Sequence, residues 1–239
     1  VTGLVGSEMC IRDSDDPWWT PLPFSLPMPE KKIALLKKIE GLKIDPTISA
    51  ELDIVAKRLE NSGWVIEEPK APNFLEAAKF QATLWLGEFR RTGGEAITKE
   101  NDPDSNFIYS QMSRRCPDTS LEKFMDSLQQ RARISREWNK FFDQYPIILC
   151  PITGDVPFPD LKDLESEESF DLVFDSMLPQ IAPPYMGLPG LSFATSQTKQ
   201  KIPLGVQFIS RKFREDLLLN VGYDLENYYP KIEPVLPNF

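Results

Sequence analysis

The sequence predicts an α/β protein, a mixed β-sheet flanked by helices. Short apolar runs bounded by glycine and proline recur along the chain, as buried strands do. Between them lie longer stretches whose apolar residues fall at helical spacing. The 239 residues are 41% hydrophobic and 11% aromatic, enough to bury a core and unlike a disordered chain. The 22 prolines, about 9% against a usual share of roughly 5%, point to many loops rather than a helical bundle.

Residues 1–14, VTGLVGSEMCIRDS, have neither an amphipathic pattern nor an initiator methionine, and Leu4 to Ser14 resembles a translated sequencing-adapter tail. They are read as non-native or disordered and set aside from the fold. In the Pro-rich stretch that follows, Trp18, Trp19 and Phe24 are expected to pack on the domain surface. Ile33-Ala34-Leu35-Leu36 reads as a strand. Asp45-Pro46 then starts a helix, with Asp45 as cap and Pro46 in its first turn. Ile48, Leu52, Val55 and Leu59 form its apolar side; Gly63 ends it and Trp64-Val65-Ile66 follows as a strand. A second helix spans Asn73 to Arg91. Thr92 to Phe107 reads as a polar loop. The longest helix is expected over Pro117 to Tyr145, with Pro117 in its first turn, running into the buried strand around Ile147-Ile148-Leu149-Cys150. The acidic stretch from Asp155 to Asp175 reads as an exposed excursion with a short helix.

Pro179 to Asp216 is the most informative stretch. Pro183, Pro184, Gly187, Pro189 and Gly190 predict a shaped turn rather than a helix. Leu191-Ser192-Phe193-Ala194 is a short strand, and Ser196 to Lys201 an exposed connector. Leu204 to Ile209, rich in β-branched and aromatic residues, is a strand. A last helix runs from about Arg214 to Asn227, with Glu215 and Asp216 in its first turn, where the helix dipole favours carboxylates.

Charge and residue inventory exclude several classes of function. The formal net charge is −9 and no basic stripe accumulates, which argues against nucleic acid as the partner. No apolar run approaches the roughly 18 residues of a membrane span. Three widely spaced cysteines, Cys10, Cys116 and Cys150, form neither a disulfide framework nor a metal spacing. With no histidine in the sequence, a Ser-His-Asp triad, a Cys-His dyad and a histidine-based zinc site cannot form from these residues. Two Ser-x-x-Lys pairs have plainer explanations: Ser120/Lys123 as a helix cap and Ser196/Lys199 as loop residues in a polar setting. Neither lysine is in a place that would hold it neutral, as a lysine base requires. Cys150, in an apolar run, reads as a buried, inert thiol. Glu165, Glu167 and Glu168 read as a solvated face rather than a cation site.

One family resemblance emerges from three pieces taken in order. They are Gly187-Leu188-Pro189-Gly190-Leu191-Ser192, Pro203-Leu204-Gly205-Val206-Gln207-Phe208-Ile209, and Phe213-Arg214-Glu215-Asp216 with leucines behind. Together they resemble the C-terminal part of the amidase signature hydrolases. The β-α-β block near the start and the helix feeding Tyr145-Pro146-Ile147-Ile148-Leu149-Cys150 are similar to that family too, although Tyr145-Pro146 stands where an aspartate often precedes the strand. The resemblance covers about residues 15–230. It implies that 15–239 is the C-terminal part of one amidase-signature-like domain, incomplete as it stands, with unpaired strand edges.

The implied activity is cleavage of a carboxylic amide C–N bond through an acyl-serine intermediate, with no metal and no cofactor. The family's Ser-Ser-Lys triad needs no imidazole, but neither its Gly-Ser-rich stretch nor its lysine motif occurs here. No catalytic residue is therefore assigned, and the chain alone is expected to be inactive. The substrate-facing positions implied are Ile152, Gln180 and Pro183, on the acyl side of the pocket; loop packing explains them equally. The implied partner is a small-molecule amide, the implied location the cytoplasm, and a homodimer is left open. The alternatives are a non-catalytic binding or scaffold protein that kept half of the fold, and a fragment of the A subunit of the tRNA-dependent amidotransferase, which would bring protein partners.

Overall fold

The computed structural model describes residues 26–229. The expected packing of Trp18, Trp19 and Phe24 lies outside them, as do residues 1–14. Five strands form one sheet: β1 (Lys32–Leu35), β2 (Val65–Glu67), β3 (Ile147–Pro151), β4 (Gly190–Gln197) and β5 (Pro203–Ser210). Their order is β2-β1-β3-β5-β4. The first three strands are parallel, while β5 runs antiparallel to both β3 and β4. The sheet is therefore mixed, as the sequence predicts. The helices are α1 (Pro46–Asn61), α2 (Phe74–Thr92), α3 (Gly94–Glu100), α4 (Pro103–Arg115), α5 (Leu121–Gln144), α6 (Glu167–Ser176), α7 (Leu178–Met186) and α8 (Glu215–Glu226).

Alternation along the strands divides the core in two. Ile33, Leu35, Ile147, Leu149, Val206 and Phe208 face one side, where they meet α1 and α8 through Leu52, Val55, Leu59, Leu217, Leu218 and Val221. Ala34, Ile148, Cys150 and Ile209 face the other, against α2, α5 and α7 through Phe74, Ala77, Trp138, Phe142, Ala182 and Tyr185. Because β1 and β3 are covered on both faces, they read as continuous apolar runs rather than as alternating ones. No helix among the described residues is long and apolar enough to cross a membrane.

Three sequence expectations are corrected. Thr92 to Phe107 is not a loop: it holds α3 and the start of α4. The stop between them is Asn101, in the left-handed conformation at φ 58°, and the start is Asp102, whose side chain accepts from the Ser105 amide ahead of Pro103. Asp102-Pro103 is the same start as Asp45-Pro46, where the Asp45 carboxylate accepts from the Thr47 amide at 2.7 Å. The longest helix begins at Leu121, not near Pro117; Ser120 caps it by accepting from the Lys123 amide. Finally, Pro183 and Pro184 lie inside α7 and do not break it.

Candidate functional site

The prolines of α7 leave two backbone carbonyls without their usual helical donors. Pro183 has no N–H to give to Pro179, four residues earlier. That carbonyl is taken up instead by the Gln207 side chain of β5, whose Nε2 donates to Pro179 O at 3.1 Å. Gln180 is placed still more unusually. The residues three and four positions ahead of it are Pro183 and Pro184, so neither a 3-10 nor an α-helical bond can reach its carbonyl. The Gln180 side chain turns the other way: its Nε2 donates to Ile152 O at 3.2 Å, tying α7 to the end of β3.

Ile152, Gln180 and Pro183, the three positions singled out from the sequence, thus come together. They line one surface depression of about 300 Å³, joined by Pro184, Leu188, Gly190, Ser192, Gln207 and Ile209. β3 places Ile152 just beyond its carboxyl end, α7 supplies Gln180 and the prolines, and β4 presents Ser192 on its exposed side. Ser192 lies opposite Gln207 in the β4–β5 register. Its hydroxyl has no hydrogen-bond partner among the described residues.

The depression holds no acid, base or cation. Its lining brings together the Gln180 and Gln207 side-chain amides, whose Nε2 groups already donate to Ile152 O and Pro179 O, the Ser192 hydroxyl, and apolar walls. That set can hold an uncharged polar group by hydrogen bonds, but it cannot move a proton or activate a nucleophile. The thiol under it does not change this. Cys150 is fully buried, and burial pushes its pKa up to about 12, so it stays protonated near neutral pH. Gln207, which lines the depression and bonds to α7, is marked in the sequence by the Pro203–Ile209 piece of the family resemblance and by an amide inside the apolar run Val206-Gln207-Phe208, but sequence reasoning assigns it no role. Ser192 closes the Gly187–Ser192 piece of the same resemblance and is likewise given no role by the sequence.

Of the other candidates, Ser120 is a helix cap, and the Ser196 hydroxyl donates to Glu51 Oε2 at 2.9 Å rather than meeting Lys199. In the acidic excursion, Glu165 pairs with Lys162 and Glu167 with Arg114.

A mixed sheet with helices on both faces, and beside it a depression with amide, hydroxyl and apolar groups but no ionisable side chain in its lining, defines an α/β protein with a candidate binding site. The chain belongs to the amidase family, whose model matches residues 4–219. It is 29% identical over 222 residues to an indoleacetamide hydrolase of Bradyrhizobium diazoefficiens, covering 92% of this chain and 42% of that protein. It is 27% identical over 221 residues to an indoleacetamide hydrolase of Bradyrhizobium japonicum, covering 91% of this chain and 47% of that protein. A solved structure of 6-aminohexanoate cyclic dimer hydrolase superposes with a TM-score of 0.74 at 16% identity, over 93% of this chain and 51% of that one, which shows the shared fold. The chain thus spans somewhat under half the length of these curated relatives, 42% and 47%.

Proposed function

We propose that this chain forms the acyl-side wall of the substrate pocket in a hydrolase that cleaves carboxylic amide C–N bonds through an acyl-serine intermediate. The observation that carries this reading is the convergence of Ile152, Gln180 and Pro183 on one depression that has hydrogen-bonding groups but no acid or base. Ile152 and Pro183 give apolar walls for the acyl part of a small amide. The Gln180 carbonyl and the Ser192 hydroxyl are the groups suited to its polar end. The nucleophilic serine and its lysine base are supplied by sequence outside these 239 residues. The chain alone does not hydrolyse amides, and the whole enzyme works in the cytoplasm on a small molecule.

The lack of acid–base groups equally favours a second reading, a binding protein that kept this part of the fold without the chemistry. The genomic DNA upstream of the codon for Asp15 separates the two. A reading frame that continues into a lysine motif and a Gly-Ser-rich stretch with paired serines is the expected result. A genuine start codon with no such stretch upstream overturns the hydrolase reading and leaves the binding one.

A further inference from the structure

A second, open cavity, built from other elements than the depression, is lined by α2, α3, α4 and the 3-10 turn Lys162–Leu164. Its volume is about 530 Å³, within the usual range for small-molecule sites. Three aromatic side chains wall it: Trp85 and Phe89 from α2 and Tyr109 from α4. Phe89 and Tyr109 meet edge to face with centroids 5.8 Å apart, and Trp85 is 51% exposed, an open indole face where most tryptophans are covered.

The charge of this cavity is one-sided. Asp104 and Asp163 are its only ionisable carboxylates, and no lysine or arginine lines it. Neither aspartate has an ion-pair or side-chain hydrogen-bond partner among the described residues. Asp104 sits in the first turn of α4, where the helix dipole accounts for a carboxylate; Asp163 lies in the three-residue 3-10 turn Lys162–Leu164, too short to have a comparable dipole. Beside it Leu161, also part of the lining, is held in the left-handed region at φ 57° and is 59% exposed. A leucine rarely takes that conformation, and backbone strain of this kind collects at ligand-binding segments.

We propose that this cavity binds a small amphipathic cation, an aryl- or alkylammonium. The aromatic faces receive the apolar body and attract the positive charge through their quadrupoles, while Asp104 and Asp163 complement the ammonium. An anionic ligand of the same shape meets two like charges and no cation. The site is independent of the depression beside α7 and does not rest on the function proposed for it.

The test is calorimetric titration of the purified chain with three probes of one shape: phenethylammonium, 2-phenylethanol and phenylacetate. The expected result is that phenethylammonium binds about tenfold more tightly than the alcohol, with no detectable binding of phenylacetate. In an Asp104→Asn/Asp163→Asn double variant, whose changes lie at exposed and half-buried positions, cation and alcohol should bind alike. Ile108→Trp, which fills the cavity, should abolish binding of both. Equal affinity for cation and alcohol in the unmodified chain, absence of binding, or a cation preference that survives the double substitution overturns the proposal.

Discussion

Gly154 shows how much a single missing side chain can decide. Its N–H donates to Ser176 O and its carbonyl accepts from the Asp45 amide, both at 2.8 Å, so it joins the end of β3 to the end of α6 and to the cap of α1. A Cβ here would lie 2.4 Å from Lys43 O and 2.7 Å from Leu42 Cδ1. The first of these is backbone and cannot step aside. Gly154→Ala should therefore destabilise the chain by about 2–3 kcal/mol, read as a lower midpoint of urea unfolding with an unchanged slope. Cys150 gives a second residue-level prediction. It is fully buried with its pKa raised to about 12, whereas Cys116 is only half-buried. In a Cys10→Ser variant, one thiol should react with a disulfide reagent at pH 8 in the native protein and a second only in denaturant. Two fast thiols in the native state would show that the core around Cys150 opens.

At the scale of elements, α4 is held largely from its surface. None of its residues is buried, and much of its attachment to α6 is ionic. Arg115 Nη1 and Arg114 Nη2 both reach Asp171 Oδ1, at 2.7 and 2.5 Å, and Arg115 also pairs with Asp175. The Arg115 guanidinium lies over the Phe174 ring, 4.7 Å from its centroid. The hydrogen bond from Arg115 holds the Asp171 carboxyl below its ordinary value. The folded pKa is then lower than the unfolded one, so this contribution is complete above about pH 4 and is lost as pH falls through the folded value. Protection of the α4 amides, taken relative to intrinsic exchange at each pH, should fall below that pH and at high salt. Asp171→Asn should give the lower protection already at neutral pH, with the α5 and β3 amides unaffected; an unchanged α4 would mean that its apolar contacts hold it.

For the whole molecule, the sheet ends openly. β4 is eight residues long and pairs only with β5, so its other edge has no strand beside it among the described residues. Exposed edges of this length template pairing with other chains. The isolated chain should self-associate with rising concentration, and Ala194→Lys, which puts a charge on the exposed side of β4, should shift sedimentation towards the monomer. Association that ignores the lysine would place the contact elsewhere, for instance on the exposed Leu121, Met125 and Leu128 of α5.

The class of fold is legible in the amino-acid order alone, because its signs are local. Apolar runs mark β1, β3 and β5, Asp45-Pro46 marks the start of α1, and the ordered pieces from Gly187 to Asp216 mark the family. The same order rules out every imidazole-based mechanism within these residues, since there is no histidine to use. It misleads where local chemistry is overruled or hidden. Asp102-Pro103 is masked by a polar neighbourhood. Pro183 and Pro184 speak against a helix that a distant side chain rescues: Gln207, on another strand, replaces the bond that Pro183 cannot make. Packing alone brings Ile152, Gln180 and Pro183 to one depression, because the bond that joins α7 to β3 spans 28 residues and depends on the sheet order. Burial, register and the meeting of remote residues are properties of the packed chain, and no short stretch of sequence contains them.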